Sequence, residues 1–366
     1  MRLFFILIIS FLLFPTSADA QKRVIDTTDH TPISAASIMD AAGNVIGFTL
    51  NDGTLPEIAE SAYPVTVRCI GYEQLTIKRP KDKDWEMTPM VYELEEVVVS
   101  PVRRNVLKQT FYAREYFSIS TQSDTVTIFM EHMANRFIPT TKDAKFGGNS
   151  SLRILGSRTY ARYKVWGEDS VAIEAKSSIP SLLKALAPDT EPITAPESFK
   201  QGSSPKIYEE TGKSGTTLIQ KQNAQTFTSM EDLLAGRKEH MASPWVLKLL
   251  GLSMDIKQLY RTHAYRTNAN GVYLPEDLIE SGFVMEADSR GKIFLQIFDT
   301  DESVVIRSMV EIYVVGRDYL TKDEAKEQYN NKPSEVKYVI PNTVPELNTA
   351  TKHLVERANA EAKKVQ

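Results

Sequence analysis

The sequence predicts a mainly β protein: a small N-terminal β-sandwich followed by a β-rich α+β domain. Three observations carry this. Short apolar stretches between residues 22 and 99 are separated by Gly43-Asn44 and Asn51-Asp52-Gly53, turn chemistry at the spacing of a small antiparallel sandwich. Val65, Val67 and Cys69 alternate with their neighbours at period two, which places them on one face of a strand. Beyond residue 112, strand-like stretches dominate both ends of the chain, and helix signals are confined to a few places.

The chain begins with Arg2, an apolar run from Leu3 to Phe14, a break at Pro15 and the small residues Ala18-Asp19-Ala20 before Gln21. This is the layout of a secretory signal peptide over 1–20, cleaved after Ala20. The run is well short of the roughly 20 apolar residues that a spanning helix needs. The expectation is an exported protein, periplasmic or associated with the outer membrane, without a transmembrane segment after cleavage. Among 366 residues, net charge −4 with scattered signs lacks the basic stripe of a nucleic-acid partner. A single cysteine, Cys69, excludes an internal disulfide framework and reads as a small buried hydrophobe.

The sandwich spans 21–99. Ala35 to Met39 and Val45 to Leu50 are strands flanking a turn, and Val65 to Ile70 is followed by a strand carrying Leu75 and Ile77. Gly71 allows a reversal closed to residues with a Cβ, and Tyr72 covers the core edge with its hydroxyl expected to stay in water. Val24-Ile25-Asp26, Thr31-Pro32-Ile33, Ala35-Ala36-Ser37-Ile38, Gly43-Asn44, Gly47-Phe48-Thr49, Asn51-Asp52-Gly53, Cys69-Ile70-Gly71-Tyr72 and Leu94-Glu95-Glu96-Val97-Val98-Val99 fall in that order. The ordered set resembles the carboxypeptidase regulatory-like domain of exported Bacteroidota proteins, a transthyretin-like β-sandwich. The chain departs from that family at Leu55, where an aromatic residue is usual. The resemblance implies an accessory domain without catalytic residues, often found in front of TonB-dependent transporters and other envelope proteins.

A connector over 100–111 leads to the β-rich α+β domain over 112–341. Strands are expected around Tyr116–Ile119, Val126–Phe129, Leu152–Leu155 and Tyr160–Trp166, then a short helix at Leu182–Leu186. Prolines 188, 192, 196 and 205 punctuate a long loop. A hairpin joins Lys206–Glu210 to Thr216–Lys221. Thr228-Ser229-Met230-Glu231 has the form of a capping box and predicts a helix, and Ser243-Pro244-Trp245 to Gly251 predicts another. Strands return at Phe283–Glu286, Ile293–Ile297, Val304–Ile306 and Val310–Val315. Thr321 with Glu324 caps a helix, and residues 342–366 form a C-terminal helix.

Candidate chemistry is thin. His353 and Glu356 have zinc-ligand spacing, but no third histidine follows, and a catalytic zinc needs three protein ligands. Ser181 with Lys184 and Lys213-Ser214-Gly215 match elements of penicillin-recognising enzymes at the wrong separation. Asp299, Asp301 and Glu302 offer oxygen ligands of the calcium type in what reads as a hairpin turn. Trp245, Leu249 and Leu250 form a helical stripe that fits a core as well as a partner site. The expectation is therefore no catalytic residue, no metal and no cofactor. The chain reads as a non-catalytic envelope protein that binds an envelope protein, a glycan or a lipid at the Pro-rich loop. The alternatives are an accessory to a TonB-dependent uptake system and a hydrolase of unrecognised type. A run like Glu95 to Val99 can lead into a Ton box, but about 260 residues after it are too few for a plugged barrel of some 22 strands.

Overall fold

The computed structural model describes residues 22–92, 104–145, 151–165, 168–174, 183, 188, 191–200, 206–211, 217–234, 252–298, 302–331, 333 and 335–365. The signal-peptide segment, Glu95 to Val99, Ser181, Lys184, Lys213, Asp299, Asp301 and the Trp245 stripe lie outside them.

The N-terminal unit contains β1 (Val24–Asp26), β2 (Ser37–Met39), β3 (Val45–Phe48), β4 (Val65–Arg68), β5 (Leu75–Ile77) and β6 (Trp85–Met87). β1 and β6 pair in parallel, and β3-β2-β4-β5 form an antiparallel sheet. Val24, Ile38, Val65, Val67, Ile77 and Trp85, drawn from both sheets, share one core, as a sandwich requires. Gly43, Gly53 and Gly71 have φ of 82°, 76° and 85°, so the turns fall where glycine permits them. Cys69 is half-buried. Its thiol is pushed up to about 12, chiefly by burial and then by Glu280 and Glu311, which makes it a poor nucleophile.

The second unit is built on one large antiparallel sheet. Its strands begin with β7 (Val106–Ser120), β8 (Thr125–Pro139), β9 (Ser151–Val165) and β10 (Glu168–Glu174). A short β11 (Ile193–Thr194) stands apart. The sheet continues with β12 (Lys206–Thr211), β13 (Thr217–Gln222), β14 (Thr226–Asp232) and β15 (Leu252–Arg266). β16 (Val272–Tyr273) pairs with β11, and β17 (Leu278–Gly291) and β18 (Val304–Leu320) complete the set. The order across the 10-stranded sheet is β10-β9-β8-β7-β18-β17-β15-β14-β13-β12. β18 closes the fold by lying between β7 and β17, so the first and last long strands are neighbours.

Four local expectations are corrected. Thr228 to Glu231 is part of β14, not a helix start. Cross-strand pairing on both sides, with Phe227 and Met230 buried on opposite faces, outweighs a local cap. Ile293 to Ile297 lies in a short helix, α1 (Lys292–Phe298), because β17 runs unbroken through Ser289-Arg290-Gly291 instead of turning there. The paired pieces at Leu152/Tyr160 and Val304/Val310 each belong to one long strand, and β7 already begins at Val106. The hairpin of β12 and β13 forms as read. In α2 (Lys322–Asn330), Thr321 accepts from Glu324 N at 3.3 Å while its own N–H donates to Glu324 at 2.8 Å. The C-terminal helix, α3 (Thr349–Val365), begins at Thr349 and not at residue 342, and residues 342–348 ahead of it are not helical.

The sheet separates two cores. On the outer face, Tyr160, Phe129, Tyr116, Met309, Val284 and Tyr260 are successive register partners from β9 to β15. They pack beneath Met39, Val45 and Phe48 of the sandwich and Leu354 and Ala358 of α3. The inner face buries Phe111, Phe227, Ile256, Phe283 and Ile312 under Leu183, Ala195 and Phe199. That face is concave. Gln109 of β7 donates to Pro275 O at 2.7 Å, and Tyr273 two residues earlier donates to Gln222 of β13 at 3.4 Å, so one short stretch bridges strands far apart in the sheet. Among the described residues, no helix is long and apolar enough to cross a membrane.

Candidate functional site

The segment Arg68–Tyr72 lies along the outer face of the large sheet, and a polar cluster forms beneath it. Arg68 ends β4 and is 3% exposed. Its guanidinium is 2.7 Å from Glu311, which is 7% exposed, and donates to the Tyr116 hydroxyl at 2.7 Å. The Glu311 contact is ionic and off the axis of a hydrogen bond. Burial alone would lower the Arg68 guanidinium, but Glu311, Tyr116 and Tyr313 together more than reverse this and hold it above its usual value. Two residues on, Ile70 sits over Gly282, where a Cβ would lie 2.4 Å from Ile70 Cγ1. Only glycine lets the sandwich approach so closely at that point.

Glu280, on the next register row, receives both the Gly71 N–H and the Tyr92 hydroxyl on Oε1 at 2.5 Å. Burial pushes its carboxyl up to about 7. The Tyr92 and Gly71 bonds and Arg68 offset part of this, and Glu311 adds to it. At the other end, Lys221 of β13 holds Asp26, Asp29 (3.0 Å), Thr31 (3.0 Å) and Tyr72 (3.3 Å). Burial works to raise Asp26, but the bonds from Lys221 and Thr28 together outweigh it and keep the carboxyl low. The Tyr72 hydroxyl is not left in water, as the sequence suggested. It donates to Asp26 at 3.0 Å.

Next to this cluster is a cleft of about 610 Å³ with three walls. The sandwich contributes Glu73, Gln74, Met90 and Tyr92; the sheet contributes Arg266, Ile279 and Arg317; and the third wall is residues 341–346. That last stretch is anchored. Arg114 donates to Pro345 O at 2.6 Å and to the Tyr112 hydroxyl at 3.0 Å, and Arg158 stacks over Tyr338 at 3.9 Å. Gln74, Met90 and Pro345 also line a small void reaching Glu280, Arg68 and Glu311, so the polar cluster forms the floor of the cleft. The lining mixes aromatic and aliphatic surface with guanidinium, carboxylate, amide and hydroxyl groups, the composition of a small-molecule site.

The Glu280 carboxyl sets a pH dependence. Its folded value of about 7 exceeds its ordinary 4.5, so between these values the folded state holds a proton that the unfolded state releases. Its contribution is therefore fully present below about pH 4.5 and is lost as pH rises through about 7, some 3 kcal/mol in all. Urea titrations of the wild type and Glu280→Gln across that window should show the difference between their stabilities change with this sign. A constant difference would mean that the carboxyl titrates normally.

Residues singled out in the sequence lie elsewhere. His353 and Glu356 are exposed on α3, 3.9 Å from each other. Of the Pro-rich loop, residues 191–200 are described, and they bury Ala195 and Phe199 in the inner core instead of standing clear of the protein. The sequence reading missed Arg68, Glu280 and Glu311. Their signal was a charged residue inside an apolar strand stretch: VTVRCI, DLIESGF and MVEIYVV. Such a charge at a buried position needs a partner. No family model matches this chain, and no curated protein matches it either.

Proposed function

We propose that this is an exported cell-envelope protein that acts by binding rather than catalysis, and that its ligand occupies the cleft between the sandwich, the large sheet and residues 341–346. The single observation that carries the reading is that cleft, about 610 Å³ and walled by three separate parts of the chain. Export is supported by the apolar run from Leu3 to Phe14 and the small residues before Gln21. The ordered motifs from Val24 to Val99 support assigning the sandwich to the carboxypeptidase regulatory-like type. In this reading the sandwich is a fixed wall, held against the sheet by Arg68, Gly71, Tyr92 and Lys221.

Arg266 and Arg317 stand in the same lining as Glu73 and Glu346, which suits a small polar ligand carrying both hydrogen-bonding groups and charge. The test is a thermal-shift screen of the mature protein against short oligosaccharides and against di- and tripeptides. At least one class should raise the melting temperature of the wild type and leave Thr343→Trp, with the cleft filled, unchanged. Absence of any shift in the wild type, or an equal shift in both proteins, overturns the proposal.

A further inference from the structure

We infer that the concave inner face of the large sheet is a second binding site, for a long-chain carboxylate whose alkyl chain lies on the apolar wall and whose head group is received at His263. The site lies on the opposite side of the sheet from the polar cluster beneath the sandwich and stands on different observations.

A polar row crosses this face, between apolar residues and, on one side, the charged Glu115, Arg261 and Glu231. Ser157, His132, Ser281, His263, Ser229 and Gln220 belong to one line of register partners, interrupted by Ala113 and Ile312. Most of the row is satisfied within itself. His132 Nδ1 is 2.8 Å from Ser157 Oγ with Glu115 3.0 Å from its other nitrogen, and Gln220 reaches Ser229 at 3.5 Å.

His263 is the exception. It is 4% exposed, and neither ring nitrogen has a hydrogen-bond partner. Ser308 Oγ, fully buried on the same face, also lacks one. Buried polar atoms are nearly always bonded, so the two open ring nitrogens of His263, one a donor and one an acceptor, call for an occupant. Burial, together with Arg261 and Arg136, pushes His263 down to about 3, so the ring is neutral and presents one N–H.

Arg261 beside the ring is already paired with Glu231 at 2.7 Å, so the head group is received by the ring's own N–H. A carboxylate oxygen at His263 would accept its N–H, with the register neighbours Ser281 and Ser229 on either side. A water molecule could fill one bond, but it gives no reason for the wall around it. Phe111, Phe227 and Val314 lie in the apolar cluster to one side of the polar row, and Leu259, Met285 and Phe283 lie in it to the other.

The face is closed by residues 193–199. Ala195 donates to Gly271 O at 2.7 Å, and Phe199 meets Phe227 edge-on at 6.4 Å. β11 is only two residues long, so its pairing with β16 is short and this cover can lift to admit a chain.

Fluorescence titration of the full mature protein with 11-(dansylamino)undecanoic acid tests the site. The probe should bind saturably and be displaced by palmitate at least tenfold more effectively than by hexadecanol. His263→Leu should weaken binding tenfold or more, and His263→Gln, which keeps a donor and an acceptor, should restore most of it. Thr343→Trp should bind like the wild type. Absence of saturable binding, or equal binding by His263→Leu, overturns the inference. So does loss in Thr343→Trp with His263→Leu intact, because the probe then sits in the outer cleft. Should His263→Leu not fold, Phe199→Trp reports instead. Its emission should shift with palmitate, and unchanged emission overturns the inference.

Discussion

Arg68→Ala should lower the unfolding free energy by about 3–5 kcal/mol, among the largest effects of any single substitution in this protein. The guanidinium and Glu311 are both buried and 2.7 Å apart, and Tyr116 spends its hydroxyl on the same group. Removing Arg68 leaves Glu311 in a dry interface with Glu280 close enough to repel it. The loss is thus mainly the penalty of an unpaired carboxylate, and a second substitution should relieve it. Arg68→Met combined with Glu311→Leu should recover most of the stability, since replacing a buried ion pair by apolar groups is often neutral. Equilibrium urea denaturation of the two variants and the wild type measures both parts. A loss below about 1 kcal/mol for Arg68→Ala would mean that water reaches Glu311, as at an exposed ion pair.

Phe227→Ala should cost about as much, 3–5 kcal/mol, by a different mechanism. Its ring is fully buried, stacked on Tyr273 at 4.1 Å and 6°, and flanked by Phe199 and Tyr265 at 6.4 and 6.2 Å. These four residues join β14 and β15 to the two stretches that cover the inner face. Truncation removes the transfer free energy of the ring and leaves a void that rigid strands cannot close. Hydrogen exchange should quicken at Ala195 and Phe199 along with the global loss, while Val65 and Val67 in the sandwich stay as protected as global stability allows. Phe227→Leu should cost less than half as much. Equal costs for the two substitutions would show that the aromatic stack, and not the bulk of the side chain, carries the effect.

Much of the fold was legible in the sequence. Turn chemistry at Gly43, Gly53 and Gly71 is a property of the backbone itself, so it survives in any context. The period-two pattern of Val65 and Val67 reports burial against the sandwich core, and the reciprocal cap of Thr321 and Glu324 is complete within four residues. Local determinants of this kind can be read without knowing what lies across from them.

The functional candidates could not be read in this way. Thr228 to Glu231 carries a helix-capping pattern and is a strand, because pairing with β13 and β15 offers more than one local cap. Ile293 to Ile297 looks like a strand and is a helix at the end of one. Arg68, Glu280 and Glu311 stand far apart in the chain and become one cluster only when the sandwich settles on the outer face of the sheet. The mainly β class, the sandwich, its turns and the helix capped by Thr321 follow from the sequence alone, because each rests on residues within a few positions of one another. Tertiary structure alone decided that β18 inserts between β7 and β17, that the outer face receives a cleft, and that the inner face encloses His263. Those outcomes depend on contacts between residues up to some two hundred positions apart, whose pairing no local pattern encodes.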